Sequence, residues 1–242
     1  SIEAAPIYAA KNIPQIAIST NPRFTQLGLP TTFRMVANDT LQARAIGSFA
    51  ATQLGSTRYA ALDDGTPYGK GLADGAAEQL KAEKKEVVVR KSFDDKTTAF
   101  DELAAELNLK RADSCHVLQA DLACDDDIVW LAQESRHVWG RVDALVNNAS
   151  SFYPTPVGSI TAADWDDLFS SNARAPLCLA QALAPELRAR QGAIVNLIDI
   201  HADRPLKNHT VYCMAKAGHA MLTQSLAKEL APDVRVNGVA PG

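Results

Sequence analysis

The first hundred residues contain no cysteine, no histidine and no tryptophan; all four Cys, all five His and all three Trp lie beyond residue 100. No two Cys stand in CxxC spacing and no His/Cys cluster has zinc-site spacing, so a dithiol redox motif and a structural zinc are excluded and no metal is expected. The scattered thiols Cys115, Cys124, Cys178 and Cys213 read as small buried hydrophobes of a reducing compartment. No apolar run reaches the length of a membrane span. No basic n-region leads into an apolar h-region, so no signal peptide is expected, and expression in the cytoplasm is. A surplus of positive charge is missing as well. The net charge is -4, which argues against nucleic acid or an anionic membrane as partner and leaves a small molecule at most. Low-complexity segments and internal repeats are absent.

What is present divides unevenly. Residues 1–100 carry 12 Lys+Arg against 10 Asp+Glu, and the remainder 12 against 18. With the rare residues confined to the second part, this suggests two segments of different origin. Both alternate strand and helix. "IPQIAIS" (13–19) reads as a buried strand and "TTFRMV" as a short one. Residues 39–54 form a helix capped by Asn38 or Asp39 and closed by Gly55. "RYAALD" (58–63) and "EVVVRKSF" (86–93) are strands flanking a helix that ends near Glu83. A further helix starts near Thr97, with Phe100, Leu103, Ala104 and Leu107 on one face. "CHVLQA", "DALVNN", "AIVNLID" and "VRVNGVA" are strands, with helices at 125–139 and 209–231 among them. Continuous apolar strands alternating with helices predict an α/β fold, a doubly wound parallel sheet in a Rossmann-like three-layer sandwich.

Tyr212 and Lys216 stand four apart on a predicted helix and share a face. A lysine charge beside a phenol favours the phenolate and would lower the Tyr212 pKa, which suits proton exchange near neutrality. The pair alone also fits an exposed aromatic and lysine on any helix. Its context is more specific. "DALVNNASSFYPTP", "SSNARAP", "NLIDIHADRP", "YCMAK" and "RVNGVAPG" follow one another at regular intervals. Together these resemble the short-chain dehydrogenase/reductase family, in particular its pteridine-reductase branch, from about residue 102 to 242. The resemblance implies an NADP-dependent reductase. It makes Tyr212 the proton donor, Lys216 its partner and a ligand of the nicotinamide ribose, and Asn172 the support of the proton relay. Asp199 replaces the usual family serine and, as in the pteridine branch, works with the tyrosine. Asn147, Asn148 and Ala149 match a turn beside the cofactor, Asp121 a residue near the adenine, Pro241 and Gly242 a turn at the nicotinamide, and Phe152 a ring on which a pterin stacks. Read by turn chemistry alone, Asp121 and Asp199 are caps at strand ends. The family continues beyond "APG" with a substrate-covering loop, a helix and a strand; without such a lid, turnover is expected to suffer.

The first hundred residues carry a different signature. "AAPIYAAKNIPQIAISTNPRFTQLG", "TFRMVANDTLQARAIGSFA" and "YGKGLADGAAEQLK" with "VVVRKSFDDKTTAF" resemble the periplasmic branched-chain amino-acid-binding proteins over residues 1–101. The resemblance implies that Thr20, Asp39 and Tyr68 line an amino-acid cleft. Half a cleft should bind weakly. The chain is thus expected to be an engineered chimera, one hybrid Rossmann-like domain over 1–242, its two fragments joined near Phe100 to Leu103.

"DGTPYGKG" (64–71) bears on both halves. Gly65, Gly69 and Gly71 have G-x-x-x-G-x-G spacing between a strand and a helix, where backbone N–H groups can meet a phosphate. Arg90 and Lys91, about 20 residues on, suit a 2′-phosphate and hence NADP. A Walker-type P-loop is excluded, because the spacing is one residue short and Gly71 offers no hydroxyl for Mg²⁺. Against a phosphate stand the carboxylate of Asp64, where the family usually has Thr, and the bulk of Pro67 and Tyr68. A structural turn therefore outweighs a working dinucleotide site. The expected strand order is 115–120, 86–92, 58–63, 142–147, 193–198, 234–239, with 13–19 pairing beside 234–239 to cover an edge. The expected function is a folded chimera with little or no catalysis that carries a remnant reductase site. Alternatives are residual NADPH-dependent reduction of pterin-like substrates and weak binding of branched-chain amino acids.

Overall fold

A computed structural model describes residues 2–94, 97 and 100–241. It divides into two compact units, Ser1–Cys115 and His116–Gly242.

In the first unit, α1 (Ala5–Ala9) leads to β1 (Gln15–Ala17), α2 (Arg23–Gln26) and β2 (Thr32–Arg34). Then follow α3 (Asp39–Gln53), β3 (Arg58–Asp63), α4 (Pro67–Ala82), β4 (Glu86–Ser92) and α5 (Asp101–Lys110). The Asn38 side chain caps α3 by accepting the Leu41 N–H, and Thr66 caps α4 by accepting that of Gly69. Helices α3 and α4 pack through small residues, Ala43, Gly47 and Ala51 on one and Ala76 and Ala77 on the other. A Cβ on Gly47 would lie 2.6 Å from the Gln79 Cβ and 2.7 Å from the Ala76 carbonyl oxygen, so the crossing distance depends on the missing side chain. β3 and β4 pair in parallel with α4 between them, which makes a βαβ unit.

Two expectations fail in this unit. Segment 13–19 is strand only over Gln15–Ala17, and it pairs in parallel with β2, Ile16 opposite Phe33; it does not pair beside 234–239. Nor is it buried, since Ile16 and Ile18 are exposed. The apolar run signalled burial, but a two-stranded ladder covers only one of its faces. "CHVLQA" (115–120) forms no strand. The Asn108 side chain binds the N–H groups of Ser114 and Cys115 and donates to the Cys115 carbonyl. The backbone groups at Cys115 that a ladder would use are therefore already taken.

In the second unit, α6 (Asp125–Trp139), β5 (Ala144–Asn147), α7 (Ala162–Phe169), α8 (Ala175–Ala189), β6 (Ala193–Leu197), α9 (Thr210–Glu229) and β7 (Arg235–Val239) follow in order. β5, β6 and β7 form a parallel sheet in that order. Its core joins Ile128 and Ala132 of α6, Leu179, Leu183 and Leu187 of α8, Ile194 of β6, Leu226 of α9 and Val236 of β7. α7 opens with a capping box between Thr161 and Asp164. A π-helical turn, Ser170–Arg174, joins α7 to α8. The α/β class with parallel strands holds for both units, whereas the expected continuous six-strand order does not appear among the described ladders, which are β1–β2, β3–β4 and β5–β6–β7. No described helix is long and apolar enough to cross a membrane, and no described cluster of His, Cys, Asp and Glu could hold a metal.

Candidate active site

The carboxyl ends of β5 and β6, where open parallel sheets present their ligand crevice, gather most of the residues singled out in the second unit. Asp199 lies two residues beyond β6. Its Oδ1 accepts the His201 N–H at 2.9 Å and its Oδ2 accepts the Tyr212 hydroxyl at 2.6 Å. One oxygen of Asp199 thus caps the turn after β6, and the other accepts from Tyr212. Tyr212 and Lys216, one turn apart on α9, are buried. The Lys216 Nζ donates to the Leu197 carbonyl at 2.9 Å and stands 5.7 Å from the Tyr212 ring centroid.

This arrangement corrects the expected effect of lysine on tyrosine. Burial, then the hydrogen bond and charge of Asp199, push the Tyr212 pKa up, and only the Ser150 hydroxyl pulls the other way. Lys216 lies over the ring face rather than at the hydroxyl, and its own pKa is lowered by burial, against the pull of Asp199. Tyr212 is accordingly a phenol that keeps its proton, not a phenolate.

Asn172 sits in the π-helical turn, fully buried, a kind of distortion that often marks functional sites. Its Nδ2 donates to the carbonyls of Leu168 and Ser151, both at 2.9 Å, and its Oδ1 accepts the Ser150 hydroxyl at 2.7 Å. Asn172 is thus tied to Ser150, and Tyr212 to Asp199; the Ser150 hydroxyl acts on Tyr212 by lowering its pKa. Phe152 stacks on His209 with ring centroids 4.8 Å apart and planes at 13°, and meets Tyr212 edge-on at 4.8 Å. Ser150 and His209 were not singled out in the sequence. Ser150 lay inside a quoted motif, and His209 precedes Tyr212 by three residues, the spacing of one helical turn.

Other predicted residues have different surroundings. The Asn147 Nδ2 donates to Asn196, whose own Nδ2 donates to Thr223; this buried chain ties β5 and β6 to α9. Asn148 and Ala149 border a cavity of about 230 Å³ with Leu145, Ser171 and Pro176. Asp121 accepts the Ala123 N–H, and its own N–H goes to Asp127, which is turn chemistry. The Pro241 carbonyl accepts the Ile200 N–H at 3.4 Å. Gly242 lies outside the described residues.

In the first unit, Thr20 and Asp39 meet through a backbone hydrogen bond of 2.9 Å, and the Tyr68 hydroxyl donates to Gln42 at 3.2 Å. All three border the start of α3. Gly65, with φ +74°, lies between β3 and α4, and Gly69 and Gly71 lie in the first turns of α4. Arg90 is held by Asp63 and by Asp74, and Lys91 by Glu106 at 3.0 Å. Burial raises the Asp63 carboxyl, but hydrogen bonds from Gly65, Arg90 and Ser92 outweigh it and leave Asp63 below the usual range.

Residues 65–242 match the family described as enoyl-(acyl carrier protein) reductase. The chain belongs to the short-chain dehydrogenase/reductase family. It is similar to pteridine reductase 1 of Leishmania tarentolae, 39% identical over 215 residues that cover 72% of this chain and 73% of the relative. It is 33% identical over 176 residues to a 3-oxoacyl-[acyl-carrier-protein] reductase of Staphylococcus epidermidis, covering 72% and 70%. With L-xylulose reductase of Caenorhabditis elegans it shares 44% over 103 residues, 41% of either chain. The reductase match reaches back to residue 65, past the start near residue 102 that the motifs suggested, and takes in the glycine loop.

A nicotinamide dinucleotide, the cofactor the family implies, fits this chain unevenly. Lys216 uses one of its three ammonium donors on Leu197, and the rest suit ribose hydroxyls. The loop does not fit phosphates. The N–H of Gly65 goes to Asp63, that of Thr66 to Asp64 and that of Gly69 to the Thr66 hydroxyl.

Proposed function

We propose that the chain is a short-chain-type oxidoreductase by descent whose proton-handling site is assembled and whose own turnover is slight. The observation that carries this is the 2.6 Å hydrogen bond from Tyr212 to Asp199, with Asn172 and Ser150 behind it. Phe152, half open to solvent, supports a flat heterocycle such as a pterin as substrate, with a carbonyl or imine presented to the Tyr212 hydroxyl.

Protons move here as a property of the pair. If Tyr212 gave up its proton while Asp199 was ionised, a phenolate would face a carboxylate at hydrogen-bond distance, which is strongly unfavourable. Delivery therefore requires that the pair hold two protons, so that Asp199 replaces the one Tyr212 gives to the substrate heteroatom. Dinucleotide phosphates do not fit the loop, so NADP as reductant is part of the proposal and not of the site's geometry.

A hybrid origin belongs to the same proposal. Residues 1–101 are read as a periplasmic-binding-protein-like fragment, recombined by design with a reductase fragment. The absence of Cys, His and Trp before residue 100 supports it. Over 65–101 the two ancestries overlap, as they can between families that share the βαβ order.

The test is NADPH oxidation with 7,8-dihydrobiopterin between pH 5 and 8. We expect a rate well below the roughly 10 s⁻¹ typical of enzymes, abolished by Tyr212→Phe. Equal rates in the variant and its parent would overturn the assignment of Tyr212.

A further inference from the structure

The loop between β3 and α4 is already occupied by its own chain. Asp64 turns its carboxylate inward, and Oδ1 accepts both the N–H and the hydroxyl of Thr66, at 3.0 and 2.7 Å. It lies so close over Gly69 that a Cβ there would stand 2.1 Å from Oδ1 and 3.0 Å from the carboxyl carbon. The bare backbone at Gly69 therefore makes room for Asp64, not for a ligand. Gly65 is accounted for as well, since its φ is +74° and a Cβ would meet the Phe93 carbonyl at 2.7 Å. Nothing lies within 4 Å of a Cβ on Gly71, so internal packing does not explain that glycine. The Thr66 N–H and hydroxyl hold Asp64 well below the usual carboxylate range, and it is ionised at neutral pH. The cation nearest in role, Arg90, is bound to Asp63 and Asp74, and the hydrogen bonds of Asp64 run to Thr66 rather than to a cation.

We propose that Asp64 is the residue that decides dinucleotide affinity in this chain. Its carboxylate takes the place at the loop that a pyrophosphate oxygen would need, and excludes the phosphate both by occupancy and by charge. This rests on the reading that the loop stands where a reductase of this family holds a dinucleotide, and its test is separable from that reading.

The experiment is calorimetric titration of the full chain at low salt with NADPH and, separately, with ADP, which carries the pyrophosphate without nicotinamide. It uses the parent, Asp64→Ala and Asp64→Asn. The asparagine variant keeps an acceptor for Thr66 and removes only the charge, and it serves as the reading if the alanine variant melts early. The parent should show no saturation up to about 1 mM, and each variant should bind both probes at least about tenfold more tightly, the effect of removing a like charge a few ångströms away. Micromolar binding by the parent, or no gain in either folded variant, overturns the proposal. If both probes gain while Tyr212→Phe leaves NADPH oxidation unchanged, the reductase reading fails and the role of Asp64 stands. If the parent oxidises NADPH at micromolar concentration in a Tyr212-dependent way, the reverse holds.

Discussion

Tyr212 shows how one partner can reverse a residue's chemistry. Lys216 is visible four residues away in the sequence, but Asp199 is brought to the hydroxyl only by the fold, and its carboxylate with burial decides the outcome. Asp199→Asn keeps an acceptor and removes the charge, so the Tyr212 pKa should fall. Phenolate absorbance followed through alkaline titration reads this; an unchanged titration would show that Asp199 does not hold the proton. His219, one turn beyond Lys216 on α9, is a second residue whose surroundings the sequence hides. It is buried, and among the described residues neither ring nitrogen has a hydrogen-bond partner. Burial, and then the Lys216 charge, push its pKa down to about 4. The unfolded chain therefore binds a proton that the folded chain refuses. The stability that neutral His219 provides is fully present above about pH 6.5 and is lost as pH falls toward the folded value, roughly 3 kcal/mol in all. Melting temperature should drop more steeply between pH 6.5 and 4.5 in the parent than in His219→Leu. Parallel profiles would exclude His219 as the source.

Among the elements, those set by local chemistry were legible and those set by distant partners were not. "RYAALD" is β3 to the residue, and 125–139 is α6, because an apolar strand bounded by turn residues and a periodic helix starting at three aspartates carry their own signals. "CHVLQA" has the same apolar look. Asn108, which looks like an ordinary helix residue, claims the backbone of its first residue, Cys115. The Gly65–Gly71 loop was legible as a turn, and its glycine spacing as a possible cradle; the inward fold of Asp64 could not be read from spacing. In the same way, Arg90 and Lys91 had the right distance in sequence for a 2′-phosphate, while Asp63, Asp74 and Glu106 already engage them. The α3–α4 crossing makes a direct test of element packing. Gly47→Ala places a methyl group against the Ala76 carbonyl and the Gln79 Cβ, and such overpacking costs about 1–3 kcal/mol. A lower denaturation midpoint with unchanged slope should result. An unchanged midpoint would mean that the helices part without cost.

At the scale of the whole molecule, the two units differ in how well they bury what they have. The second carries a continuous apolar core and the polar pairs Asn172–Ser150 and Tyr212–Asp199. In the first, the buried side chains are mostly alanine, while Ile16, Ile18, Phe33, Met35 and Phe49 are exposed. The candidate site motifs were legible because they lie within one continuous stretch, 147–216, and Asp64 was legible as a charge opposed to phosphate, but its inward turn onto Thr66 and Gly69 was not. The second unit holds the proposed proton-handling site, and the loop of the first is proposed to be closed to phosphates. Calorimetric titration of the unmodified chain with NADPH, after a cooperative melt has established that it is folded, tests that claim most directly. The account predicts no saturation up to about 1 mM, a binding free energy weaker than about 4 kcal/mol; micromolar binding would contradict it.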